Sequence, residues 1–238
     1  MDLLIPLACI FLAAGFVKGA IGLGLPTIGM ALMTLMVAPA EAAAMLLLPN
    51  LVTNLVQMRP WGETERLARR LWPMLLGVVL GTALGALLWG GFGGRHGGVV
   101  LGVVLALYGA LGLSGIRVVL PERAGLPLGL ATGALTAATG VFVIPAVPWL
   151  QGLGLAKDAL VRALALSFTV STLALGVLLR AGDGLDGRMV AASALALVPA
   201  LAGQALGTRM RGRLSEAAFK RVFFAALVAL GLAIALRS

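Results

Sequence analysis

Asn50, Asn54 and Gln57 fall at i, i+4 and i+7 in an otherwise almost wholly apolar stretch, and Ser167 and Ser171 repeat the i, i+4 step in the second half of the chain. On a helix each set lines one face. Polar groups inside apolar runs are costly and tend to be functional. Lys18, Thr27, Thr139 and Arg162 join them, whereas no acidic residue lies deep in any apolar run. Glu41 and Asp158 stand at the starts of such runs, where they can cap the helices they begin. A cation or proton pathway wants buried carboxylates; amides, hydroxyls and two cations point instead to an anion.

Each candidate also has a structural reading. Lys18 either snorkels to an interface or touches substrate. Arg162 is either an orientation anchor or a ligand. Any single serine or threonine can spend its hydroxyl on its own helix's i−4 carbonyl. The glycines at 77, 81 and 85 fit close helix packing better than binding.

The stretch GFVKGAIGLGLPTIGM, residues 15–30, interrupts a long apolar run with Gly22, Gly24 and Pro26. A second run breaks at Thr139, Gly140, Pro145 and Pro148. Proline removes a backbone donor and glycine permits a sharp turn, so each run is expected to split into two limbs of about 13 to 17 residues. A helix opening at Pro26 or near Pro145 presents unpaired N–H groups and the positive end of its dipole, which suits an oxyanion. Gly22, Gly24, Thr27, Thr139 and Gly140 therefore join the expected binding set of Lys18, Asn50, Asn54, Arg162, Ser167 and Ser171. No metal site and no cofactor is expected.

The elements that must position these groups are membrane helices. Of 238 residues, 61% are hydrophobic and 11% charged, where an ordinary soluble domain has about 25% charged residues. Apolar runs recur along the whole length, and the alternating pattern of a membrane barrel is absent. The net charge of +9 sits in short loops between apolar runs, which marks membrane orientation and not nucleic-acid binding. Cys9 is the single cysteine, so no intrachain disulfide forms. The N-terminus lacks a basic leader region and reads as a retained first segment.

The expected fold is an all-α polytopic membrane protein of two inverted repeats, each a broken or re-entrant helical hairpin followed by three transmembrane helices. Residues 1–120 hold hairpin 3–37 and spans 41–58, 71–90 and 97–116. Residues 121–238 hold hairpin 126–153 and spans 158–179, 189–206 and 217–236. Setting Ala40-Glu41-Ala42 on Lys157-Asp158-Ala159 brings Asn50 onto Ser167 and Asn54 onto Ser171; further on, Pro73, Gly77 and Gly81 meet Pro199, Gly203 and Gly207. Returning each broken block to the side it entered gathers the basic residues of 59–70, 117–123 and 209–221 on one side. Arg95, Arg180, Arg188 and Arg237 remain on the other. The positive-inside rule makes the richer side cytoplasmic. Trp61, Trp72 and Trp149 are then expected near the cytoplasmic interface and Trp89 near the outer one.

GFVKGAIGLGLP at 15–26, GLATGALTAATGVFVIP at 129–145, the helix-opening PAEA and AKDA, and the closing GTRMRGRLSEAAFKRVFF resemble the TauE/SafE family of sulfite exporters and sulfonate permeases over nearly the whole chain. The first tip departs from the family's pattern, reading GLGLP where a triple-glycine turn and a spaced valine-proline are common. The resemblance implies an inner-membrane transporter of small sulfur-containing anions, and not an enzyme. Its partners are the anion and the bilayer; no nucleic acid is among them. The leading expectation is a secondary transporter of sulfite or an organosulfonate working by alternating access at the repeat interface. A passive anion channel is the alternative, with a membrane-embedded enzyme further behind, because His96 and Cys9 stand alone and no carboxylate pair converges.

Overall fold

The computed structural model describes residues 4–182, 184–213 and 215–237. Leu3 and Leu214, part of the expected opening block and closing motif, lie outside them, as do Met1 and Ser238 at the outer limits of the expected halves. The described residues form ten α-helices, α1 Leu4–Ile21, α2 Leu25–Met33, α3 Pro39–Gln57, α4 Trp61–Trp89, α5 Gly97–Ser114, α6 Gly125–Thr139, α7 Ala146–Gly152, α8 Lys157–Ala181, α9 Gly187–Met210 and α10 Glu216–Arg237. Six of them, α3, α4, α5, α8, α9 and α10, are long and apolar enough to cross a membrane. Large apolar side chains point outward along these spans; Leu87 is 82% exposed and Val198 73%. In water such a surface would be a liability; in lipid it is the solvated face. The chain is a multi-pass, all-α membrane protein.

Both expected interruptions are present, but the limbs are unequal. The first limbs, α1 and α6, have 18 and 15 residues, whereas the second, α2 and α7, have 9 and 7. At 1.5 Å per residue the second limbs reach only about 14 and 11 Å, too short for a bilayer core of about 30 Å. The turns after residues 33 and 152 end them early. The span expected at 71–90 begins ten residues sooner, at Trp61. The charged segment 61–70 is made of helix formers and carries an i, i+4 ion pair, Arg69 to Glu65 at 2.6 Å. Hydropathy marks only the apolar part of that helix.

Glycine seams set the packing. A Cβ on Gly81 would lie 2.1 Å from the Leu130 carbonyl oxygen, and one on Gly133 2.2 Å from that of Val78, so α4 and α6 touch backbone to backbone. The α1–α9 joint has the same build: a Cβ on Gly207 would meet the Phe16 oxygen at 2.0 Å, and one on Gly15 the Ala200 oxygen at 2.2 Å. α5 and α10 form a third close pair, joined where Gly102 faces Gly231. α3 packs on α9, α8 packs on α4, and α3 meets α8. The molecule thus sorts into the group α1–α9–α3, the group α6–α4–α8 and the pair α5–α10, with the α3–α8 contact between the first two.

Proline 49 lies inside α3 and leaves the Met45 carbonyl without its helical donor. The Ser193 hydroxyl of α9 fills the gap, donating to Met45 O at 2.9 Å while accepting from Leu48 N at 3.1 Å. Trp149, expected near the cytoplasmic interface, is turned into the protein. It is 1% exposed, packed over Gly125, and its indole N–H donates to Pro121 O at 3.4 Å. Trp61 and Trp72 are exposed, at 51% and 60%.

Candidate functional site

The first break sits where α1 ends. Gly22 and Gly24 take φ of 81° and 128°, a region that side chains with a Cβ rarely enter. Gly24 starts α2 without a side-chain cap; Ile28 N reaches back to Gly24 O at 2.7 Å, and Thr27 donates its hydroxyl to the same carbonyl at 3.1 Å. One turn before the break, Lys18 is 0% exposed and donates to Asn54 Oδ1. Among the described residues it has no carboxylate partner. Gln57 donates to Lys18 O at 3.3 Å, and Arg211 to Gly19 O at 2.7 and 3.1 Å. A guanidinium from α9 therefore closes the carbonyl end of α1, where the helix dipole favours a cation.

The second break is closed differently. Gly140 ends α6 with φ 69°, and Thr139 Oγ1 donates to Leu135 O at 2.7 Å while accepting from Val141 N at 3.1 Å. At the start of α7, Ala146 N donates to Thr132 Oγ1 at 3.1 Å, Val147 N to Val143 O at 2.8 Å, and Trp149 N to Pro145 O at 3.3 Å. Proline 148 has no N–H. At the opening of α7, the N–H groups of Ala146 and Val147 are therefore taken by acceptors of the same chain.

The polar stripes divide by chemistry. Thr53, Thr132, Thr136, Thr169 and Thr172 donate to carbonyls four residues back. Asn50 Oδ1, Asn54 Nδ2, Ser167 Oγ and Ser171 Oγ have no partner among the described residues, although their residues are at most 3% exposed. Buried polar atoms are nearly always paired, so four orphans on two packed helices ask for a solute or water. Phe142, from the second break, packs on Phe168 of α8 at 5.2 Å, and Gly22, from the first, abuts Val161 of the same helix.

Arg162 lies at the rim. It pairs with Glu63 at 2.7 Å and donates to Arg59 O at 3.2 Å. The structure therefore joins Lys18 and Asn54 directly, one turn before the first break, and buries Asn50 on α3 and Ser167 and Ser171 on α8, two helices that pack together. Thr27, Thr139 and Gly140 serve their own turns. Two residues went unassigned in the sequence reading. They are Gln57 and Gln204, whose side chains donate to Lys18 O and Thr53 O; the i, i+7 step from Asn50 was the available signal for Gln57.

Two open clefts flank the stripe. One, of about 630 Å³, is walled by Leu47, Leu51, Val177 and Val190 with Arg180 beside them; the other, of about 590 Å³, holds Gln57, Gln204 and four arginines. They occupy opposite ends of α3, α8 and α9. Among the described residues no three His, Cys, Asp or Glu side chains gather as a metal site.

Two broken segments with short helices, six long apolar helices, and buried amides and hydroxyls left unpaired among the described residues define a polytopic membrane protein with polar groups in its interior. Over residues 7–234 the chain matches the family described as Sulfite exporter TauE/SafE, and it belongs to that family. No curated protein and no solved structure matches it significantly.

Proposed function

We propose that this protein is a secondary transporter that carries sulfite or a small organosulfonate across the cytoplasmic membrane by alternating access at the α3–α8 contact. The observation that carries this reading is Lys18, fully buried with an amide oxygen as its hydrogen-bond partner and no neutralising acid. A buried ammonium is costly unless its charge is balanced, and a bound oxyanion balances it. The orphan amide and hydroxyl groups of Asn50, Asn54, Ser167 and Ser171 then meet the anion's oxygens. The uncapped start of α2 adds a dipole of the right sign.

Two inverted repeats, residues 1–120 and 121–238, account for the paired packing: α1 joins α9 as α6 joins α4, and α3 joins α9 as α8 joins α4. Separate clefts at the two ends of the stripe suit a carrier that exposes one site in turn. The basic loops lie in the cytoplasm on this reading. Titrating purified protein with sulfite, an arylsulfonate, sulfate and a carboxylate tests the proposal. Saturable binding of the sulfur anions, lost in Lys18→Met, is expected; equal binding by wild type and variant would refute it.

A further inference from the structure

The cleft beside Gln57 differs in kind from its counterpart. Arg59, Arg162, Arg209 and Arg211 face it, and Asp158 is the one acid among its lining residues. Two of these arginines are committed, Arg162 to Glu63 and Arg211 to the α1 carbonyl end. Arg209 and the Arg59 guanidinium have no partner among the described residues, and both are exposed. The floor is thin. Gln57 bridges to Lys18 O at 3.3 Å and Gln204 to Thr53 O at 3.0 Å, while Gln57 Oε1, buried, bonds to nothing. Immediately beyond Gln57 stand Lys18 and Asn54.

We propose that this cleft is an anion-capturing vestibule, in which Arg59 and Arg209 gather the substrate and the amides of Gln57 and Gln204 seal the way to Lys18. The inference rests on the transport reading above. A concave surface of one sign, with low-dielectric walls, focuses field lines and raises the local concentration of an opposite ion. Exposed guanidinium groups hold an anion weakly, so they collect it without trapping it. Breaking two neutral hydrogen bonds opens the floor, a cost that binding at Lys18 offsets. Capture of this kind recognises charge more than shape; selection among anions falls to the buried stripe.

The test is the initial rate of sulfite uptake into proteoliposomes by wild type, Arg209→Gln and the double variant Arg59→Gln/Arg209→Gln, at low and at high ionic strength. At low salt the expected KM rises about threefold in the single variant and about tenfold in the double, with kcat unchanged. At high ionic strength the three proteins converge, because the Debye length falls to about 3 Å at 1 M. An unchanged KM in the double variant, beside an active wild type, overturns the vestibule alone. So does a fall in kcat at constant KM, which would make the arginines structural. Wild type that moves no anion overturns the transport reading and this inference with it.

Discussion

The two breaks begin from comparable sequence, a glycine turn followed by a proline, and differ in how their side chains are bonded. Around the second, threonine hydroxyls from α6 accept from Val141 N at the turn and from Ala146 N at the start of α7. At the first, Lys18 stands where no acid meets it, α2 starts without a side-chain cap, and Asn54 keeps an unpaired Nδ2. On the function we propose, the two hairpins, alike in packing, divide the labour: one acts as a strut and the other faces the solute. A polar residue inside a membrane helix is therefore not a site until its hydrogen bonds have been followed to their ends.

That contrast can be attacked most sharply at Lys18. Lys18→Met should weaken sulfite binding on the order of 100-fold, as loss of a desolvated charge does, while leaving thermal stability equal or higher; calorimetric titration beside a melting curve reads both. Thr132→Val reverses the pattern. It strands Ala146 N, so stability should fall by about 1–3 kcal/mol with the dissociation constant nearly unchanged, as measured on the folded fraction. Ser171→Ala should cost roughly tenfold in affinity and little in stability, since its hydroxyl has no partner to lose. Equal affinity losses in Thr132→Val and Ser171→Ala would erase the distinction between strut and site.

The smallest effect lies at the foot of the second hairpin. Arg70 of α4 donates to Glu122, just before α6, with Nε at 3.1 Å, and this bond holds the exposed Glu122 carboxyl below its ordinary pKa. A depressed carboxylate stabilises the fold above its unfolded pKa, and the gain fades as pH falls through the lower folded value. Glu122→Gln should therefore melt slightly below wild type at neutral pH, and the two should converge in acid.

Much of the architecture was legible from hydropathy, because lipid leaves the backbone little choice but helix. The interruptions at 22–24 and 140–145 were legible for the same reason: glycine and proline act locally. Limb length was not. That α2 stops at Met33 and α7 at Gly152 depends on the packed core around them, which a window of residues does not contain. Within the candidate site, Asn50, Asn54, Ser167 and Ser171 announced themselves by spacing. The ion pair of Arg162 with Glu63 was not legible, since the two are distant in sequence. Nor were the bonds of Thr139 within its own turn, because a hydroxyl bonded to its own turn looks, from sequence, identical to one offered to a ligand.

The glycine seams also say where torsion must go. Helix α1 is fused to α9 and α6 to α4, each across the midpoint of the chain, so neither half can tilt as a block without shearing a backbone contact. If α1–α9–α3 swings against α6–α4–α8, just two connectors run straight from one body to the other: residues 58–60 between α3 and α4, and the link from α8 to α9. Hinges absorb rotation as φ/ψ change in a few such residues. Cross-linking α1 to α9 should leave turnover intact, whereas stapling α3 to α8 should stop it.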